Sequence, residues 1–269
     1  MRLPLLAVVL GLVVAGCVSA YTGPGPVEPD QRVVGPDPAD FPVTAVPRPI
    51  VLLGSPLLTV ETPGSEQEKI ALEVGRFAFR GAEPPAPGPT SVALADGPAT
   101  LPLIGVRDAV TAMSAQGREG EPVELVSAEL GPTEFQTDRG LLPLPAWRFR
   151  TGFGSLLAWP AVAPEAFWRM GSVAITTSRA TTSDGVRLEV DLPAPPTPCS
   201  GEKPRPSETS VREEAGFVVV GVRAVDSWNT DCAHNSMYRS ERHEVTLREP
   251  LGARLLVDEA NGVIPVAKR

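Results

Sequence analysis

Val106-Arg107-Asp108-Ala109-Val110-Thr111-Ala112-Met113 and the run after it, Pro122-Val123-Glu124-Leu125-Val126-Ser127-Ala128-Glu129-Leu130, are the stretch on which the fold class turns. In the first, apolar residues recur at three- and four-residue spacing, the signature of a helix with one buried face. Gly117 stands where a helix C-cap could end it. Pro122 then opens a strand through Val123–Leu130, Asp138-Arg139-Gly140 reads as a turn, Ala146–Thr151 as the returning strand and Leu156–Val162 as a third. A short helix followed by a three-stranded meander predicts an α+β fold with mostly antiparallel strands.

Working outward, Ile50–Leu53 and Ile70–Phe79 read as strands, the latter through the alternation of Leu72, Val74, Phe77 and Phe79. Gly81–Pro102 reads as a proline-rich break. Toward the C-terminus the pattern is β: Val186–Leu192, Thr209–Arg212 and Phe217–Val225 across an Ala215-Gly216 turn, then Glu241–Leu247 and Ala253–Val257. Asp258–Gly262 is a turn before a last strand at Val263–Val266. The expectation is two packed halves, an α+β subdomain over residues 50–170 and a mainly β subdomain over residues 171–269.

Residues 1–16 read differently. Arg2 precedes an apolar run from Leu3 to Val14, and Val14-Ala15-Gly16 lead into Cys17. That order is a secretory signal; the run is too short for a membrane span, which takes about 20 apolar residues. Val14-Ala15-Gly16-Cys17 resembles a bacterial lipobox. The resemblance implies that residues 1–16 are removed as a lipoprotein signal peptide. It also implies that Cys17 carries a diacylglyceryl thioether and that the new N-terminus is acylated. Two or more chains suffice for stable attachment, each buried methylene contributing roughly 0.8 kcal/mol. Residues 17–49 then form a tether, with prolines at 24, 26, 29, 36, 38, 42, 47 and 49. Extended polyproline-like chain of this length reaches about 100 Å. The expected location is the extracytoplasmic face of the cell membrane, lipid-anchored.

Composition agrees with export. The formal charge of −8 argues against nucleic acid as a partner, since that needs a basic face. The 31 prolines and the excess of arginine and alanine over lysine and isoleucine resemble the usage of GC-rich actinobacterial genomes. Of three cysteines, Cys199 and Cys232 remain as an even pair once Cys17 is lipidated. In an exported chain such a pair most simply forms a disulfide, two free thiols or a metal pair being the alternative.

Two further resemblances bear on fold. Val123-Glu124-Leu125-Val126 with Leu144-Pro145-Ala146-Trp147-Arg148-Phe149 resembles a PepSY-type or cystatin-like α+β module over residues 103–163, without that module's closing Asp-x-x-Thr-Gly strand. The Pro-Ala-Trp-x-Phe segment and Leu247–Asp258 resemble exported actinobacterial proteins of unknown function.

No enzyme motif is present. The two histidines, His234 and His243, are the available general bases, with Asp231 or Asp226 as a carboxylate partner; no Gly-x-Ser-x-Gly elbow accompanies them. No spacing marks a metal site, and no cofactor is implied. Trp159, Phe167 and Trp168 are the densest aromatic group, either an interface seal or a ligand groove. Glu213-Glu214 reads as a solvated strand end. The reading is a non-enzymatic binding or interaction module for an envelope protein or wall component. The alternatives are a small-ligand carrier using the aromatic groove, and a cell-wall hydrolase or transferase using His234 or His243.

Overall fold

A computed structural model describes residues 36–61, 64–194, 207–224 and 239–269. The strands up to the central meander are β1 (Leu58–Thr59), β2 (Phe77–Phe79), β3 (Thr90–Leu94), β4 (Gly97–Leu101), β5 (Val123–Thr137), β6 (Gly140–Thr151) and β7 (Leu156–Pro160). Those after it are β8 (Arg179–Thr182), β9 (Arg187–Pro193), β10 (Ser207–Glu213), β11 (Phe217–Ala224), β12 (Ser240–Thr246), β13 (Leu255–Val257) and β14 (Val266–Lys268). Two α-helices, α1 (Glu66–Val74) and α2 (Val106–Ser114), and two short 3-10 helices, Pro38–Asp40 and Pro164–Ala166, complete the described elements. No described helix is long and apolar enough to cross a membrane.

The α+β class predicted from the sequence is therefore corrected: the protein is mostly β, built from several sheets, with two nine-residue helices. The physical cause lies in stretches whose local signals were underweighted. Gly81–Pro102 holds the β3–β4 hairpin, its two-residue Ala95-Asp96 tip leading into Gly97 at φ 121°. Asp-Gly between alternating apolar residues is a hairpin signal even in a proline-rich setting. Ile70–Phe79 is not one strand: its first half belongs to α1. Ser65 caps that helix by accepting from Glu68 N at 3.1 Å, while Glu68 Oε2 accepts from Gly64 N at 2.9 Å. This is a capping box displaced by one residue on the acidic side. Ile50–Leu53 contributes isolated bridges, Ile50 with Phe167 and Leu52 with Thr137, instead of a strand.

A five-stranded sheet has the order β1-β7-β6-β5-β2. One face buries the α2 stripe Val106, Ala109, Val110 and Met113 against Trp147, Phe149 and Leu157. The other buries Val92 and Leu101 of the β3–β4 hairpin against Phe135, Leu144 and Ala158. Cover on both faces explains why Leu156–Pro160 is apolar without alternation and buried at every position. Two further sheets, β12-β9-β8-β14 and β10-β11-β13, pack face to face through Leu188, Val190, Val218, Val220 and Ile264. The pairs β2–β5, β11–β13 and β14–β8 are parallel.

The opposite face of β11 and β13 presents Val219, Leu255 and Val257 to Phe41, Val51, Leu53 and Trp168. Phe41 is 4% exposed and meets Trp168 edge-on at 5.4 Å. Packed chain thus begins upstream of Ile50, inside the proline-rich stretch.

Candidate functional site

Arg48, just before Ile50, anchors the floor of a cleft. Its guanidinium donates to both carboxylate oxygens of Asp138, at 2.5 and 3.4 Å, and through Nε to Ala253 O at 2.8 Å. It also lies 4.7 Å over the Phe41 ring. Asp138 sits in the tight β5–β6 turn, where its own carbonyl accepts from Val266 N at 2.9 Å. One buried ion pair therefore joins the N-terminal segment, the long hairpin and the loop before β13, and the Asp138 backbone ties in the last strand.

Arg139, next in that turn, donates through Nη2 to Gly252 O at 2.6 Å and Arg254 O at 2.9 Å. Burial pulls its guanidinium below the ordinary arginine value; the nearby Asp138 carboxylate opposes this and the Arg48 charge adds to it. The loop it grips is held from the far side by Glu213, which accepts from Arg248 N at 2.7 Å and Arg254 Nη1 at 3.0 Å. Glu213 is only 13% exposed, so this carboxylate of the Glu213-Glu214 pair is a latch and not the solvated strand end expected.

Against this frame lie two adjoining depressions that share Ala95, Asp96 and Arg139. The wider one, about 480 Å³, has Pro250, Leu251 and Val266 as apolar wall and Lys268 at its rim. The narrower one, about 330 Å³, runs over Arg48, Asp138 and Leu94 to Leu141, an exposed leucine on β6. Both volumes fall in the range of small-molecule sites, about 300–1,000 Å³.

The charges here divide into two kinds. Arg48, Asp138 and Arg139 are spent on the frame. Asp184, also in the wider lobe, accepts from Arg187 N and Val186 N, which hold its carboxyl below the usual carboxylate value. Asp96 and Lys268 are not spent. Asp96 is 47% exposed at the hairpin tip and reaches only to 4.0 Å from Arg48 Nε; among the described residues Lys268 Nζ has no ion-pair or hydrogen-bond partner. Two opposite, exposed charges thus stand over a floor whose own charges are already paired or hydrogen-bonded.

The residues singled out in the sequence lie elsewhere. Trp159, Phe167 and Trp168 are buried at 8, 7 and 6% exposure and belong to three different core clusters. They do not come together as a groove, and none lines either lobe of the cleft. Trp147 is core, donating Nε1–H to Ile104 O at 2.8 Å. His243 stands on β12 opposite Val190, so it shares the inward face of its sheet, and its Nδ1 is 3.1 Å from Thr209 Oγ1. Among the described residues its Nε2, which is buried, has no hydrogen-bond partner. Cys17, Cys199, Trp228, Cys232, His234 and the carboxylates Asp226 and Asp231 lie outside the described residues. Among the described residues no three of His, Cys, Asp and Glu converge as metal ligands.

None of the cleft residues was marked as a site by the sequence. Asp138-Arg139-Gly140 was legible as a turn and Asp96-Gly97 carries a hairpin signal, but their meeting is made by contacts across up to 205 positions, as between Arg48 and Ala253. Comparison with known proteins adds no name to this geometry: the chain matches no family, no curated protein and no solved structure.

Proposed function

We propose that this protein is a lipid-anchored lipoprotein of the extracytoplasmic membrane face, acting as a non-enzymatic binding module for an envelope protein or wall component. The cleft at Asp96 and Arg139 is where the partner is held. The observation that carries the reading is the contrast between a fully bonded floor and the unspent charges of Asp96 and Lys268 above it. A catalytic reading draws no support from His243, whose bonded neighbour is a hydroxyl and which lies away from the cleft lining. A carrier reading built on Trp159, Phe167 and Trp168 draws none from side chains buried in three separate clusters. The anchor rests on the lipobox-like Val14-Ala15-Gly16-Cys17 and the disulfide on the even pair Cys199 and Cys232.

The test is a photo-crosslinking residue in place of Leu141, at the exposed mouth of the narrower lobe, with capture on live cells and mass spectrometry. One reproducible envelope partner, lost when the crosslinker is moved to the far face, is the expected result. Capture that is the same from both faces would sink the cleft as the binding surface. Detergent partitioning of wild type and Cys17→Ser checks the anchor: equal partitioning into water would end it. Intact mass with and without reductant checks the disulfide through a two-hydrogen difference.

A further inference from the structure

The wider lobe of the cleft constrains the chemistry of its occupant more tightly than the general reading does. An anion entering it meets Asp96 as well as the cations Arg139 and Lys268. A cation meets those two cations as well as Asp96. A neutral apolar ligand would strip water from Asp96 and Lys268 and give neither a partner, which is costly for charged groups. Only a ligand with a positive and a negative group satisfies both ends, and the wall of Pro250, Leu251 and Val266 asks for an apolar stem between them. The remaining carboxylate, Asp184, does not compete, because its Oδ1 accepts from the Val186 and Arg187 backbone amides and its Oδ2 from Arg187 Nε.

We propose that the wider lobe binds a zwitterionic ligand of the size of a short peptide, its ammonium group on Asp96 and its carboxylate on Lys268. The assignment rests on the binding-module reading and narrows it to one ligand class. Asp96 and Lys268 act as a pair of discriminating contacts. Arg139 is a positioning residue, since its Nη2 is tied to Gly252 O and Arg254 O and fixes the loop that carries the apolar wall. Asp96 sits at a two-residue hairpin tip whose strands pack on the core through Val92 and Leu101, so the carboxylate is presented from a fixed platform.

The experiment titrates full-length protein in detergent with trialanine, then with its N-acetylated and C-amidated forms, by calorimetry. Trialanine is expected to saturate one site, and each capped form to bind about tenfold more weakly, the size of one charge-assisted contact. Asp96→Asn is expected to abolish the penalty of acetylation and leave that of amidation; Lys268→Met is expected to do the reverse. Both side chains are exposed, so a thermal melt matching wild type confirms that the variants fold. Equal binding of free and capped peptides, penalties unchanged in the variants, or no binding of trialanine at millimolar concentration would each overturn the ligand class. Crosslinking from Leu141 separates the two claims. If a partner is still captured there, only the ligand class falls; if neither peptide nor partner is held, the binding-module reading falls with it.

Discussion

Removing the Asp138 carboxylate is the sharpest test of how this structure is held. Asp138→Ala deletes the acceptor for two bonds from Arg48, whose side chain is only 7% exposed. Its remaining strong contact is Nε to Ala253 O. Breaking one side of a buried pair costs about 3–5 kcal/mol, because the other charge stays buried without its counterion. Arg139 makes the position worse: its Nε lies 3.8 Å from Asp138, and the two guanidiniums would then share only the half-exposed Asp96 carboxylate, 4.0 Å from Arg48 Nε. At 2–4 °C per kcal/mol for a chain of this size, the melting temperature should fall by roughly 6–20 °C. The double variant Arg48→Met/Asp138→Leu removes both charges, and well-packed apolar replacements are often neutral or better. It should therefore melt higher than Asp138→Ala. Differential scanning calorimetry reads both. A drop under about 2 °C in Asp138→Ala, or a double variant as unstable as the sum of its singles, would refute the claim that this pair locks the cleft floor.

Glu68 should set part of the acid limb of stability. Burial raises its carboxyl pKa, but hydrogen bonds from Ser155, Gly64 and Thr151 outweigh it and hold the value below 4.5. Its contribution is present above the unfolded value and is lost as pH falls through the lower folded one, so Glu68→Gln should flatten the fall of urea midpoints on acidification below about pH 4.5. Gly117→Ala should destabilise by about 1–3 kcal/mol in urea titration, since its Cβ would stand 2.6 Å from Gly75 O, a backbone atom fixed by a left-handed helix cap. Ile264→Ala, at a fully buried position between the paired sheets, should cost about 2–5 kcal/mol by the same measurement, and a value near zero would contradict the assigned core.

Much of the strand inventory was legible because period-two alternation survives wherever one face is buried, as in Val186–Leu192. Period fails where both faces are covered, as at Leu156–Pro160, and there only the length of the apolar run speaks. The α1 region misled for a different reason. Leu72 and Val74 alternate as a strand would, while the helix is decided upstream by the Ser65–Glu68 capping box. Gly117 was read as a C-cap for α2; the helix is capped at Ala115, and Gly117 is needed for its close approach to Gly75.

By itself the sequence raised the expectations of export, lipidation and a disulfide, and it determined the α2 helix stripe, the β5–β6 turn and most strands, because each of these elements depends on residues within a few positions of one another. Tertiary structure alone decided the mostly β class, the burial of Trp159, Phe167 and Trp168 in separate clusters, and the cleft. The cleft exists because Arg48, Asp96, Arg139 and Lys268 are brought together from four distant segments, and the value of a charge depends on what it meets. Asp138 and Asp96 are the same residue type, both beside arginine. One is buried in a bidentate pair and holds the fold; the other reaches its arginine only at 4.0 Å and stays 47% exposed.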